Sequence, residues 1–247
     1  MPYTNTNIEP DMASMAPAGV SVHVTRIGGY PAEDVPGFAE MKSMASTSLE
    51  EAAKLLAGAR PDLVLYGCTS ATLSLGVVGD AAFADALARD VGCQAITTSG
   101  SILASLNRLG TRQVSFVTPY DGPLTRVGAD FLTDAGFRVV AETHPEKDLT
   151  SLQQGALTPD QIVEMIVTKD HRSAEVLVLS CTDMRAVECI TRLERETGLP
   201  VVTSNQALFH EALLRLDLPV TGVPGRLANR GSHPSKLTPP AEKTAAF

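Results

Sequence analysis

Two short segments of the sequence, one in each half, end in a cysteine followed by polar side chains. Residues 62–70 read Asp-Leu-Val-Leu-Tyr-Gly-Cys-Thr-Ser, and residues 175–183 read Glu-Val-Leu-Val-Leu-Ser-Cys-Thr-Asp. In each segment an acidic residue, four apolar residues and one small residue precede the cysteine, which is Cys68 or Cys181. Two facing thiols suit chemistry in which one sulfur takes a proton or attacks a carbon while the other gives a proton. The repeated segment therefore predicts a two-thiol site.

The apolar run before each cysteine is typical of a buried strand in a parallel sheet. Ligands of such sheets bind at the carboxyl ends of the strands. A thiol at that place lies among free backbone N–H groups, which lower its pKa and attract anions. Thr69, Ser70 and Thr182 add hydroxyl donors beside the thiols. We therefore predict a carboxylate-binding site with reactive cysteines, although a single buried cysteine after an apolar strand is more often a core residue.

The remaining candidate residues give weaker signals. Tyr120 follows the end of another predicted strand, where a phenol can donate a hydrogen bond to a carboxylate or an oxyanion. Cys93 and Cys189 lack the polar flanks and are predicted to fill the core. The five histidines are scattered without ligand spacing, and we find no Walker A loop, no GxGxxG after a strand and no GxSxG. The sequence therefore predicts no metal and no nucleotide cofactor.

Composition limits the class of protein. The chain has 247 residues, of which 44% are hydrophobic and 19% charged, as in a globular protein of one large α/β domain or two lobes. A net charge of -8 without a cluster of Lys and Arg argues against a nucleic-acid partner. No apolar run approaches the length of a membrane span, and the first residues do not resemble a signal peptide. We therefore predict a cytoplasmic location, reduced thiols and no membrane partner.

Predicted strands alternate with predicted helices along the chain. The strands are 20–27, 63–66, 94–98, 113–117, 137–141, 176–179 and 200–203. The helices are 47–56 with Ser48 as N-cap, 81–89, 101–109, 124–135, one starting at 158–160, 185–197 and 206–216. The polar residues 143–158 are predicted to form a longer loop, of the kind that often covers a site.

This alternation predicts βαβ units, and so an α/β fold with mainly parallel sheets flanked by helices. The repeat extends beyond the cysteine segments, since 95–99 and 201–205 are both strand ends followed by a helix that ends in Arg-Leu. We predict two pseudo-symmetric lobes with the site in the cleft between them. The first lobe comprises 1–98 with 206–227 and the second 99–205, while 228–247 lacks periodicity and is predicted to be a flexible tail.

The order of these motifs resembles the aspartate/glutamate racemase superfamily. The matching residues are Pro-x-x-Asn at 2–5, Cys-Thr-Ser at 68–70, Thr-Pro-Tyr at 118–120 and Ser-Cys-Thr at 180–182. The likeness spans residues 2–227 and is greatest to the branch of maleate cis-trans isomerases, arylmalonate decarboxylases and ectoine-utilisation proteins. It implies a cofactor-independent enzyme in which Cys68 is the base or nucleophile and Cys181 the opposing thiol. The substrate-binding residues that it implies are Asn5, Thr69, Ser70, Tyr120, Thr182 and Asp183.

Departures from the relatives refine this expectation. Arylmalonate decarboxylases keep only the second cysteine, so Cys68 favours an isomerase. The residues after both cysteines are closer to the ectoine-utilisation type, and a maleate-binding Asn of the middle loop has no equivalent beyond the polar Asp148. Relatives also carry an apolar strand before the Pro-x-x-Asn loop, whereas Met1 here directly precedes Pro2. We therefore expect low stability or reliance on a partner subunit.

Three functions remain open on the sequence. The leading one is an isomerase or racemase that acts on a small dicarboxylic or amino acid through both thiols. The second is a decarboxylase of a malonate-like acid, in which Cys181 alone protonates an enolate. The third is a non-catalytic protein that binds small carboxylates. A homo-oligomer, by base rate a dimer, is the expected assembly.

Overall fold

The computed structural model describes residues 1–46 and 49–230. The strands in this part of the chain are β1 Leu63–Tyr66, β2 Gln94–Thr97, β3 Gln113–Val117, β4 Arg138–Thr143, β5 Val176–Leu179 and β6 Val201–Thr203. The helices are α1 Ile8–Met15, α2 Phe38–Met44, α3 Leu49–Ala57, α4 Thr69–Leu73, α5 Gly76–Val91, α6 Thr98–Leu109, α7 Gly122–Asp134, α8 Ser151–Ala156, α9 Pro159–Val167, α10 Ile190–Thr197 and α11 Ser204–Arg215. Short 3-10 helices occupy Val187–Cys189 and Ala228–Arg230.

Two parallel sheets organise these elements. β1 pairs with β2 in one sheet, and the strand order of the other is β4-β3-β5-β6. All four residues of β5 are buried, as expected for an apolar strand with neighbours on both sides. The predicted α/β fold with parallel sheets flanked by helices is confirmed. The lobe boundaries at 98/99 and 205/206 stay a prediction.

The predicted internal repeat is visible in how the strands continue into helices. β1–β2 and β5–β6 are corresponding pairs, and each cysteine lies two residues beyond the end of its strand. Thr97 and Thr203 then cap the following helices, α6 and α11, by accepting hydrogen bonds from the Gly100 and Gln206 N–H groups at 3.0 and 3.2 Å. The two helices pack against each other. The repeat therefore places both cysteine segments in equivalent positions.

Two predictions near the chain start and in its middle are wrong. Residues 20–27 form no strand beyond an isolated bridge between Pro2 and Ile27. One edge of β1 is not paired with β2, and a groove of about 580 Å³ separates this edge from residues 20–25. The segment therefore lacks the continuous hydrogen bonding to a neighbouring strand that a sheet requires. The predicted loop 143–158 contains α8, because Thr150 and Gln153 form a capping box that starts a helix.

Other boundaries differ by smaller amounts. The predicted helix 185–197 begins as a 3-10 turn, and the segments of α1, α2 and α4 were not predicted as helices. Helix 47–56 corresponds to α3, but its proposed cap Ser48 lies outside the described residues, as do residues 231–247 of the proposed tail. Among the described helices, none combines the length and hydropathy needed to cross a membrane.

Candidate functional site

A small cavity brings all eight predicted site residues together. Its walls include Asn5, Cys68, Thr69, Ser70, Tyr120, Cys181, Thr182 and Asp183. The cavity has a volume of about 30 Å³. A space of this size admits roughly one or two water molecules, so the residues that cover it must move outward before a small organic acid can enter. The described cavity is therefore narrower than a small organic acid.

Cys68 lies at the end of the first cysteine strand and begins α4. Its backbone is extended, with φ -148° and ψ 106°, and Thr69 is the first helical residue. The side chain is 3% exposed, and its Sγ lies 3.7 Å from the Ser70 Oγ. The strand-then-turn reading of the sequence is therefore correct, since β1 delivers the thiol to the cavity and α4 leads the chain away.

Cys181 occupies the equivalent place after β5. Its thiol is buried, and the backbone N–H of Asp183 donates a hydrogen bond to its Sγ at 3.3 Å. No regular helix follows at once, because the chain turns through Asp183 and Met184 before the 3-10 helix at Val187. The sheet therefore aims the second thiol at the cavity from the opposite half of the repeat.

Thr182 ties the two cysteine segments to each other. Its hydroxyl donates to the Gly67 carbonyl at 3.2 Å and accepts from the Asn5 side-chain amide at 3.0 Å. The Asn5 carbonyl oxygen accepts hydrogen bonds from the Asn7 and Ile8 N–H groups, both at 3.0 Å, which fixes the amide where α1 begins. The two Thr182 bonds are buried and join segments more than 100 residues apart, while the Asn7 and Ile8 bonds hold the Asn5 side chain in the wall of the cavity.

Thr69, which follows Cys68 as Thr182 follows Cys181, forms a second bridge between the two halves of the chain. Thr69 donates from its hydroxyl to Ser204 Oγ at 2.8 Å, at the start of α11. Ser99 Oγ contacts the Thr69 carbonyl at 3.4 Å, and the Asn205 amide contacts the equivalent Thr182 carbonyl at 2.9 Å. Each cysteine segment is therefore held by the helix that starts after the neighbouring strand of its sheet. This explains the sequence repeat at 95–99 and 201–205.

Tyr120 presents a buried hydroxyl group in the wall of the cavity. Its hydroxyl is buried and makes no hydrogen bond of good geometry in the described part of the chain, although it lies near the Cys181 and Ser70 side chains. Burial raises the pKa of this phenol well above its usual value, and charge on Cys181 or Cys68 would raise the pKa further. A buried hydroxyl without a partner costs free energy, so its place in the cavity wall suits a donor that a substrate oxygen satisfies.

The predicted lowering of the thiol pKa values is wrong for the described site. Burial raises the pKa of Cys68, although the Ala71 N–H and the Ser70 hydroxyl act in the opposite direction. Burial also raises the pKa of Cys181 to about 12, and the charge of Asp183 adds to this effect. Loss of water therefore outweighs the backbone N–H groups at the strand ends, and both cysteines are thiols here.

Asp183 places a carboxylate beside the thiols. Its Oδ1 accepts hydrogen bonds from the Thr6 N–H and the Asn7 amide, both at 3.0 Å. Burial raises the pKa of this carboxyl group to about 6, against the lowering effect of those two donors. The side chain therefore anchors the segment before α1 and at the same time gives the cavity a group that titrates near neutral pH.

Seven cavity residues were not predicted as site residues from the sequence. They are Pro2, Thr4, Tyr30, Pro36, Met41, Ser151 and Gln154. They come from the start of the chain, from the segments around α2 and from α8, which cover the carboxyl ends of the strands. Tyr30 follows two glycines, and Ser151 follows a capping threonine, but neither pattern indicates a site. Asp148, the polar candidate of the middle loop, does not line the described cavity.

Two other predictions concern groups outside the cavity. Cys189 is buried in the main core cluster, as predicted, whereas Cys93 is only partly buried at its margin. In residues 1–46 and 49–230 no group of three or more His, Cys, Asp or Glu side chains is arranged to hold a metal ion. The polar side chains that line the cavity carry thiol, hydroxyl, amide and carboxyl groups.

Comparison with known proteins agrees with this site. Residues 37–227 match the family model described as arylmalonate decarboxylase. The maleate isomerase of Nocardia farcinica is 28% identical over 237 residues, which is 91% of each chain. A Cys-to-Ser variant of the Nocardia farcinica maleate cis-trans isomerase, with a covalently bound succinylcysteine intermediate, superposes with a TM-score of 0.82 at 26% identity, covering 94% of this chain and 96% of that one.

A further structure supports the fold. The maleate isomerase Iso of Pseudomonas putida S16, as a cysteine variant with maleate, superposes with a TM-score of 0.85 at 24% identity over 94% of this chain and 96% of its own. Fold and site together define an α/β enzyme with two parallel sheets and paired cysteines. The chain belongs to the arylmalonate decarboxylase family. The predicted isomerase of the aspartate/glutamate racemase superfamily is confirmed by the relatives.

Proposed function

We propose that this enzyme catalyses cis–trans isomerisation of a small unsaturated dicarboxylic acid, with Cys68 as nucleophile and Cys181 as the opposing acid and base. The observation that carries the proposal is the meeting of both thiols in one cavity whose other polar groups include Asn5, Tyr120 and Thr182. Amide and hydroxyl donors suit carboxylate oxygens. The covalent succinylcysteine of the Nocardia farcinica relative supports thiol addition as the step.

The proposed reaction uses only the two thiols. The Cys68 thiolate forms a C–S bond with one alkene carbon, and the π electron pair moves to the neighbouring carbon. That carbon takes the proton of the Cys181 thiol, which leaves a saturated adduct free to rotate about its C–C bond. The Cys181 thiolate then removes a proton, the double bond re-forms, and the C–S bond breaks to return the Cys68 thiolate.

The protonation state of Cys68 makes the rate of this reaction depend on pH. Because burial raises the pKa of Cys68, its thiol must ionise before it can attack, and this occurs more readily in an open, hydrated site. We therefore expect kcat to rise with pH through the neutral and alkaline range. The cytoplasmic location and the homodimer predicted from the sequence belong to this proposal and are tested by cell fractionation and by sedimentation.

The test is proton NMR in D2O with maleate, aspartate, glutamate and phenylmalonate in separate samples. Conversion of maleate to fumarate by the wild-type enzyme, and its loss in Cys68→Ser and Cys181→Ser, is the expected result. Cys93→Ser is the matched control, since Cys93 lies outside the cavity, and it should retain turnover. Loss of chirality with deuterium at an α-carbon would instead show a racemase, and reaction of phenylmalonate alone would show a decarboxylase.

A further inference from the structure

The cavity wall has an electrostatic property that thiol chemistry does not explain. None of the described residues that line it is Lys, Arg or His, whereas Asp183 is a carboxylic acid. A dicarboxylate bears two negative charges at neutral pH. An ionised Asp183 in the same small, partly dehydrated space would repel it strongly, because like charges interact more strongly as the dielectric constant falls.

We propose that Asp183 binds one carboxylate of the substrate as a neutral acid, so that binding of a dicarboxylate takes up one proton. This inference rests on the proposed function, because it assigns a specificity role for a dicarboxylic substrate at the same site. A protonated carboxyl group is a hydrogen-bond donor, and an O–H donor to a carboxylate oxygen makes one of the stronger hydrogen bonds in proteins. Asp183 thereby replaces the cation that the cavity wall lacks.

The geometry of Asp183 leaves one oxygen for this purpose. The Thr6 N–H and the Asn7 side-chain amide both donate hydrogen bonds to the Asp183 Oδ1. Oδ2 has no such partner in the described part of the chain and lies against Gly155. A Cβ added to Gly155 would be only 2.7 Å from this oxygen. The side chain is therefore held in place by one oxygen, and the other can carry the proton.

The charged groups nearby do not compensate Asp183. Arg26 lowers its pKa slightly, but the guanidinium already pairs with Glu9 and binds main-chain oxygens of the 3–5 segment. The ammonium group of Met1 acts on Cys68, and burial lowers its pKa. Since burial raises the pKa of Asp183 to about 6, a bound dianion needs to shift this group only modestly to protonate it at neutral pH.

Among the described residues that line the cavity, no other side chain can take up this proton. The remaining titratable side chains there are Cys68, Cys181, Tyr30 and Tyr120. Burial raises the pKa of each of them, so all four already carry a proton at neutral pH. Proton uptake on binding therefore reports on Asp183 alone among the lining residues.

The test is calorimetric titration of the wild-type enzyme with succinate, a saturated dicarboxylate that cannot react and is fully ionised at pH 7.5. Repeating the titration in buffers of different ionisation enthalpy gives the number of protons taken up. We expect about one proton for the wild type, and a Kd that rises about tenfold from pH 7 to pH 8 because the group titrates at about 6.

Asp183→Asn is the informative variant, because its amide keeps an oxygen for Thr6 and Asn7 and supplies permanent N–H donors. It should take up no proton, show a flat Kd between pH 7 and pH 8, and bind more tightly than the wild type at pH 8. Asp80→Asn is the matched control. Asp80 is also buried, with a pKa raised to about 6, but it does not line the cavity. It should behave like the wild type.

Two results would overturn the inference while leaving the proposed isomerisation intact. One is succinate binding without proton uptake by the wild type. The other is tighter binding of aspartate than of succinate, with that preference lost in Asp183→Asn, which would make Asp183 an ionised partner for an ammonium group. Absence of both succinate binding and maleate turnover would overturn the proposed function and this inference with it.

Discussion

Replacing Thr182 with Val removes the hydroxyl that joins the two cysteine segments and keeps nearly the same shape. Thr182 is 3% exposed, and its hydroxyl bonds both the Gly67 carbonyl and the Asn5 amide. Valine satisfies neither partner, and an unpaired buried group costs about 1–3 kcal/mol, so the loss should be about 2–4 kcal/mol. For a chain of this size, this corresponds to a fall in Tm of roughly 5–15 °C.

The assay is urea unfolding of Thr182→Val beside Thr168→Val. Thr168 makes one hydroxyl bond, to the Glu164 carbonyl at 2.9 Å, on the exposed end of α9, so its loss should cost less than about 0.5 kcal/mol. A double-mutant cycle of Thr182→Val with Asn5→Ala should give a coupling of about 1 kcal/mol, since the two side chains are in contact. Equal unfolding free energies for the two valine variants would refute the bridging role.

Two further predictions concern buried groups without partners. Tyr120→Phe removes a buried hydroxyl that makes no hydrogen bond of good geometry to the described residues. The unfolding free energy should therefore rise by about 1 kcal/mol while KM for the dicarboxylate increases about tenfold, and a stability loss with unchanged KM would contradict this. His210 is fully buried, neither of its ring nitrogens has a hydrogen-bond partner among residues 1–46 and 49–230, and burial lowers its pKa to about 4. The stability that this neutral histidine contributes is fully present above the ordinary pKa of 6.5. It is lost as the pH falls towards 4, because the unfolded chain binds a proton at this residue and the folded chain does not. When the pH is lowered from 7 to 4, the wild type should therefore lose up to about 3 kcal/mol more unfolding free energy than His210→Leu. An equal loss in both proteins would contradict the reasoning.

Much of the fold could be predicted from local pattern. The apolar runs that became β1 and β5, and the capping threonine before α9, are signals carried by neighbouring residues. Segment 20–27 alternates as a strand does, yet among the described residues it forms one β-bridge, between Ile27 and Pro2, and a bond from the Met1 ammonium group to the Thr25 carbonyl. Whether a strand forms depends on a partner elsewhere, which alternation alone does not reveal.

Eight of the residues that line the cavity could be predicted from the sequence, but the direction of the thiol pKa shifts could not. The doubled Cys-Thr pattern identified Cys68 and Cys181, since position after a strand determines where they point. Their pKa values were predicted with the wrong sign, because burial depends on the chain start, on Tyr30 and on α8. The bridge through Thr182 spans 115 residues to Gly67 and 177 to Asn5, and no local pattern indicates it.

The central claim is that Cys68 forms a covalent bond with the substrate while Cys181 supplies and removes the proton. The most direct measurement is intact-mass and peptide mass spectrometry of Cys181→Ser after incubation with maleate, with Cys68→Ser treated in parallel. We predict a mass increase equal to one maleate on Cys68 in the first variant and none in the second. The claim would be contradicted if the wild type turned over maleate while Cys181→Ser showed no adduct on Cys68. An adduct on Cys93 or Cys189 of that variant instead would also contradict it.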